Sequence, residues 1–153
     1  MDDFFEERPV DELIFAIAQF DEEPEKVNCK AFKVLSELIG TQDCIIIGRC
    51  GNYIFRERKD LVSVFLKGSL EDRITVMEKE HNVSRAEAEE IVNELDESRV
   101  RFHKYYTGKK WGDASDYDLC FDSIRLGTDR SVDFIEQYIR EIDLKLPHQN
   151  ETH

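Results

Sequence analysis

Five cations in this chain have the residue types a phosphate pocket needs. They are Arg49 after Gly48, Arg73, Arg99 three positions after Asp96, then Lys104 and Lys109. Guanidinium and ammonium donors make short, charge-assisted hydrogen bonds to phosphate oxygens, so a few of them set inside an acidic shell suffice. The usual cradle for a triphosphate is missing from this set. A phosphate loop needs closely spaced glycines and a lysine, so that consecutive backbone N–H groups wrap the anion at a helix N-terminus. Residues 1–47 hold one glycine, Gly40.

Each of these residues also has a plainer reading, and both stay open at this level. Arg49 can pair with Asp43 or Glu57, and Asp96 with Arg99 can form an ordinary salt bridge on one helix face. Lys104, Lys109 and Lys110 can be a solvated loop. Tyr105, Tyr106 and Trp111 can stack on a base or anchor a loop to the core. His81, His103, His148 and His153 share no metal-ligand spacing, and no metal site is expected.

Composition narrows the class. A length of 153 residues with 41% apolar content suits one folded domain. With 34 acidic against 21 basic residues the net charge is −13, which repels nucleic acid and anionic membrane surfaces. Neither is an expected partner. Cys29, Cys44, Cys50 and Cys120 lack the paired spacing of a zinc site, and two of them lie in apolar runs expected to be buried. The opening Met1-Asp-Asp-Phe-Phe-Glu-Glu is acidic, with no secretory or membrane-spanning segment, so a reducing cytoplasm is the expected setting.

The elements that would position these residues follow an α/β grammar. Val27, Ala31, Val34, Leu35, Leu38 and Ile39 share one helical face between Pro24 and Gly40. Cys44 to Ile47 reads as a strand covered on both faces, and Leu61 to Leu66 as a second. Ser69 with Asp72, and Ser84 with Glu87, form capping boxes for two helices. The second helix carries Ala88, Ile91, Val92, Leu95, Phe102 and Tyr106 on one stripe, with Arg99 on that stripe too. Thr107 to Ser115 reads as a mobile loop, Tyr117 to Phe121 as a third strand, and Ser131 to Ile142 as an amphipathic helix. A short helix is expected from Val10 to Phe20.

The order of short motifs resembles the cytidylate-kinase-like family. Those motifs are Ile-Ile-Gly-Arg ending at Arg49, Val-Phe-Leu followed by Leu-Glu-Asp-Arg ending at Arg73, and Asp-x-x-Arg at Asp96 and Arg99. Tyr-Tyr-Thr-Gly-Lys-Lys-Trp-Gly-Asp from Tyr105 and Tyr-Asp-Leu-Cys from Tyr117 complete the series, and the resemblance runs from Val27 to Ile142. It implies a nucleoside monophosphate kinase with a P-loop NTPase fold, ATP and Mg²⁺ as co-reactants, and CMP or dCMP as acceptor. Carried over by position, Arg49, Asp96 and Arg99 would bind substrate. Arg73, Lys104, Lys109 and Lys110 would serve phosphate or lid contacts.

Departures accompany the match. The resemblance begins after the point where the family's first strand, P-loop and first helix stand, so those parts are expected to be absent. Ile47 and Cys50 flank Gly48 and Arg49 where the family places carboxylates, and Ile74, Thr75, Val76 and Met77 replace an arginine run. The expected architecture is a truncated P-loop-kinase-like three-layer fold. Its short, mainly parallel sheet has about three strands flanked by helices, with the central first strand missing. Residues 1–146 would form one domain with a lid at about 96–116, and 147–153 a polar tail. Open strand edges left by the missing strand predict a homo-oligomer. The expected function is partial acceptor binding without ATP-dependent transfer by the chain alone, the alternative being a non-catalytic nucleotide-sensing or assembly module.

Overall fold

The computed structural model describes residues 43–48 and 50–143, with Lys33, Glu37 and Ile39 before them. The chain divides into two compact units, Met1–Ile54 and Phe55–His153. The expected helix at 10–20, Cys29, Arg49, most of the 25–40 helix and the 147–153 tail lie outside the described residues.

In the first unit Lys33, Glu37 and Ile39 are helical, as the apolar spacing predicts. The expected strand Cys44–Ile47 joins no sheet. Ile45 is 93% exposed and Ile47 69%. A β-branched run suits a pleated surface, but a strand exists only through a ladder that takes up its backbone groups. Ile46 is half-buried, and its Cγ2 lies 3.0 Å from where a Cβ on Gly51 would stand. The turn that follows has positive φ at Gly48 (69°) and Cys50 (56°) and leads into α1, Gly51–Ile54.

The second unit holds the sheet. Strand β1 (Val64–Lys67) pairs in parallel with β2 (Leu119–Asp122), with Val64 opposite Leu119 and Lys67 opposite Asp122. Among the described residues the sheet has these two strands alone, rather than about three. Direct pairing of β1 with β2 satisfies one edge of each. Just before the ladder, Ser63 donates from both its backbone N–H and its Oγ to Asp118 Oδ2, each at 2.7 Å. The Leu119 N–H donates to the Ser63 carbonyl at 3.1 Å, which sets the register at the point where the strands meet.

Both serines cap their helices as the sequence predicts, each through the bond its Oγ accepts from the backbone three positions on. Helix α2 (Leu70–His81) starts at Ser69, whose Oγ accepts the Asp72 N–H at 3.1 Å. Helix α3 (Arg85–Thr107) starts at Ser84, whose Oγ accepts the Glu87 N–H at 3.3 Å, and it ends at Gly108 with φ 69°. The short turn between α2 and α3 folds them into a helical hairpin. Its seam is Ile74, Ala88 and Val92, with Met77 and Val83 packed against them.

After α3 the segment expected to be a mobile loop runs without helix or strand as far as Asp113 and makes aromatic contacts with β1. Trp111 meets Phe65 of β1 edge to face at 5.3 Å, and Tyr117 meets the same ring at 5.1 Å. Gly112 has φ 72°, and a Cβ there would stand 2.8 Å from the Phe65 ring, so only glycine fits. Asp113 caps a 3₁₀ turn at Ala114–Asp116. Hydrogen bonds from Ser115 hold its carboxyl below the usual carboxylate range. The aromatic residues thus anchor this segment, and the expected lid at 96–116 begins inside a regular helix.

Helix α4 (Ser123–Leu126) leads into α5 (Thr128–Asp143), three residues earlier than expected from Ser131. Phe134 of α5 seats edge to face on Phe121 of β2 at 5.2 Å. The cysteine expectation is reversed in part: Cys44 and Cys120 are exposed, and Cys50 is buried. Alternation along a strand places Cys120 and Phe121 on opposite faces, and the apolar run alone does not say which face is covered.

Candidate functional site

Three of the sequence-predicted residues come together where α2 and α3 meet. Arg73, in the first turn of α2, donates from Nη1 to Asp96 Oδ1 at 2.8 Å and from Nη2 to Oδ2 at 2.6 Å. Arg99, one helical turn beyond Asp96, places Nη1 at 3.6 Å from Oδ1. The Arg73 and Asp96 side chains are about three-quarters covered, at 27% and 26% exposure, while Arg99 is 48% exposed. The fork geometry satisfies both carboxylate oxygens at once. The Asp96 carboxylate beside it holds the Arg73 guanidinium still more firmly protonated. Arg73 Nε is buried and has no hydrogen-bond acceptor among the described residues.

The intrahelical pairing of Asp96 with Arg99 is therefore real, but secondary. The better geometry belongs to Arg73, which lies 23 positions away in sequence. Two guanidiniums converge on one carboxylate, so the cluster carries a surplus positive charge. Arg99, with five N–H donors on its guanidinium, is the half-exposed member through which that surplus faces solvent.

The lysines stand apart from this cluster. Lys104 Nζ donates to the Gly108 carbonyl at 2.6 Å and closes the C-terminus of α3, where a cation complements the helix dipole. Lys109 Nζ pairs with Asp116 Oδ1. Lys110 is exposed. At 1.5 Å per residue, Lys104 lies roughly 12 Å along the helix from Asp96. Arg49 lies outside the described residues.

One residue on this face escaped the sequence reading. His103 is one helical turn past Arg99, buried at 4% exposure, and its carbonyl accepts the Thr107 Oγ1 hydrogen at 2.7 Å. Its place on the stripe of Val92, Asp96, Arg99 and Tyr106 was the available signal. Burial pushes the His103 imidazole below its ordinary 6.5, with Asp116 opposing and Lys109 adding to the effect. With the folded-state pKa depressed, the unfolded chain takes up the proton first on acidification. The stability it contributes is whole above pH 6.5 and is lost as pH falls below it toward the folded value. Unfolding free energies from urea titrations between about pH 7 and about pH 5.5 should fall more for the wild type than for His103→Gln, by up to about 1.4 kcal/mol per pH unit below 6.5. Parallel profiles would remove His103 as the cause.

With this geometry in hand, comparison with known proteins assigns the family. The sequence profile of the cytidylate kinase-like family matches residues 5–125. The chain belongs to the cytidylate kinase-like family. The family match takes in α1, β1, α2, α3, β2 and the start of α4, and so includes the whole Arg73, Asp96 and Arg99 cluster. Among solved structures the chain is similar to an uncharacterized protein from Eubacterium ventriosum ATCC 27560. The TM-score is 0.71 at 23% identity, over 88% of this chain and 75% of that one. At that identity the likeness shows the fold alone. No curated protein matches this member of the cytidylate kinase-like family. No helix among the described residues is long and apolar enough to cross a membrane.

Kinase chemistry uses Mg²⁺ held by substrate phosphates, waters and one or two protein ligands, so it asks for no all-protein cage from the described residues. Among them no group of three or more His, Cys, Asp or Glu side chains comes together as ligands. Asp96, the carboxylate of the cluster, is engaged by two guanidiniums, which makes it a poor ligand for a second cation. No step is derived through the metal.

Proposed function

We propose that this family member holds a nucleoside monophosphate, CMP or dCMP, through Arg73, Asp96 and Arg99, and that its 153 residues by themselves do not transfer phosphoryl groups from ATP. The convergence of two guanidiniums from separate helices on one carboxylate carries this reading. A phosphate against the half-exposed Arg99 balances the surplus charge. Asp96 has lone pairs beyond those that Arg73 occupies and can accept from a sugar or base donor. Lys109 and Lys110, and Arg49 by family position, would be the outer phosphate contacts.

The donor side has no counterpart in this sequence. Transfer from ATP depends on a backbone cradle and lysine around the β- and γ-phosphates and on a loop hydroxyl for the metal. No glycine-rich loop of that spacing occurs among the residues of this chain. The finer architecture belongs to the same proposal: a truncated three-layer P-loop-kinase-like fold whose central strand is missing, supported by the direct parallel pairing of β1 with β2. A cytoplasmic setting is supported by the exposed, unbridged thiols of Cys44 and Cys120.

Calorimetric titration with CMP and dCMP tests the reading. Binding should weaken with added salt, and Arg99→Ala should lower affinity at least tenfold, about 1.4 kcal/mol. ATP with CMP should yield no CDP above background. Equal binding by wild type and Arg99→Ala would remove the site. A second reading, an assembly module without a ligand, is favoured by the engagement of Lys104 and Lys109 in contacts at the helix end. Folded protein that gives no heat with millimolar CMP would select it.

A further inference from the structure

Helix α3 has a second face that the hairpin core does not use. Ala88, Val92, His103 and Tyr106 are buried, the first two in the hairpin core. Ile91, Leu95, Ser98, Phe102 and Tyr105 recur at heptad-like spacing along the adjoining face. Leu95 is 40% exposed and Tyr105 50%. A shallow, open depression of about 490 Å³ lies along this face, lined by Ile91 and Leu95 with the polar Glu94, Glu97, Ser98 and Arg101. Leu95 and Tyr105 are exposed on this face while Ile91 and Phe102 are part-buried, so it offers a second copy a narrow apolar seam rather than a broad patch.

The charge pattern along α3 identifies the occupant. From Glu87 to Glu97 every charged residue is acidic: Glu87, Glu89, Glu90, Glu94, Asp96 and Glu97. From Arg99 to Lys104 every charged residue is basic, with Arg99, Arg101 and Lys104. The sign changes at Ser98, in mid-helix. The helix dipole favours acids and bases only within the first and last turns, so it does not account for a reversal there. A copy of the same helix running antiparallel matches the reversal, because its basic half lies against the acidic half of the first.

We propose that α3 is a self-association surface on which two copies pack this helix antiparallel about a two-fold axis near Ser98. Such an arrangement is isologous, and each contact occurs twice. Ser98 faces its own symmetry mate, and its small side chain lets the helices approach. Glu94 of each copy lies beside Arg101 of the other, and Ile91 lies opposite Tyr105. Arg101, which reaches Glu97 of its own helix at 3.5 Å, is exposed and free to turn to the second copy. The contact face turns away from Asp96 and is bordered by Arg99, which is one helical turn beyond Leu95.

Sedimentation equilibrium of the full chain across about 1–200 µM should show mass rising from monomer toward dimer, the range suited to a contact of one helix pair. Arg101→Glu and Glu94→Arg should each weaken the dimer at least tenfold. The combined variant, which exchanges the two charges, should recover most of that loss. Both sites are exposed, and circular dichroism verifies that each variant remains folded. Independently, Ser98→Cys treated with diamide, which takes up the two electrons and two protons, should form an intermolecular disulfide between the two introduced thiols, identified by mass spectrometry of the joined peptide. A monomeric mass at every concentration would overturn the proposal. So would a dimer indifferent to the single reversals, or a double exchange as weak as the single ones.

Discussion

Asp96→Ala should lower the stability of the folded chain by about 2–3 kcal/mol, because it removes the acceptor of two charge-assisted hydrogen bonds and leaves two guanidiniums without their anion. Arg73 feels this most. Its side chain is largely covered, and its Nε already has no acceptor among the described residues. For a domain of this size that loss corresponds to a fall in melting temperature of roughly 5–10 °C. Asp96→Asn, which keeps the shape and one acceptor, should fall between the two. Joint replacement, Arg73→Met with Asp96→Leu, should recover a good part of the stability, since replacing a covered ion pair by packed apolar groups leaves no orphaned charge. An Asp96→Ala protein that melts within about 1 °C of wild type would show that the pair contributes nothing to holding α2 on α3.

Ile74→Ala should cost more, about 2–5 kcal/mol. Ile74 is 1% exposed and is the largest fully buried side chain described; it faces Ala88 at 0% and Val92 at 4% across the helix seam. A methyl at Ala88 cannot expand into the space, so the cavity stays open and adds to the lost transfer energy. Chemical denaturation should show a lower midpoint with an unchanged slope. A loss below about 1 kcal/mol would mean that the hairpin closes around the gap, and that its core is looser than the packing implies.

Arg73 and Ile74, adjacent in sequence, also show what is and is not readable in advance. Ile74 was read among the residues that replace a family arginine run, and the structure makes it the centre of the core. Arg73 was assigned to phosphate by position in a motif, yet its first partner is Asp96. No pattern within a few residues signals a partner 23 positions away. The same holds for Ser63 and Asp118, which are 55 apart. Trp111 and Gly112 read as part of an open loop because glycines and lysines dominate their neighbourhood. Phe65, which holds them down, belongs to another element.

The amino-acid order by itself determined the capping residues Ser69 and Ser84, which close within one helical turn, and the ordered motifs of the family. Of the stripe expected along α3, by contrast, only Ala88, Val92 and Tyr106 are buried, and Leu95 is exposed. Hydrogen bonds between residues three or four apart need no distant partner, and so they are legible in the local pattern. Tertiary structure alone decided that β1 pairs with β2, that Cys44–Ile47 joins no sheet, and that Arg73 meets Asp96. A strand or a covered ion pair is completed by groups far along the chain, and only the folded backbone brings those groups within reach.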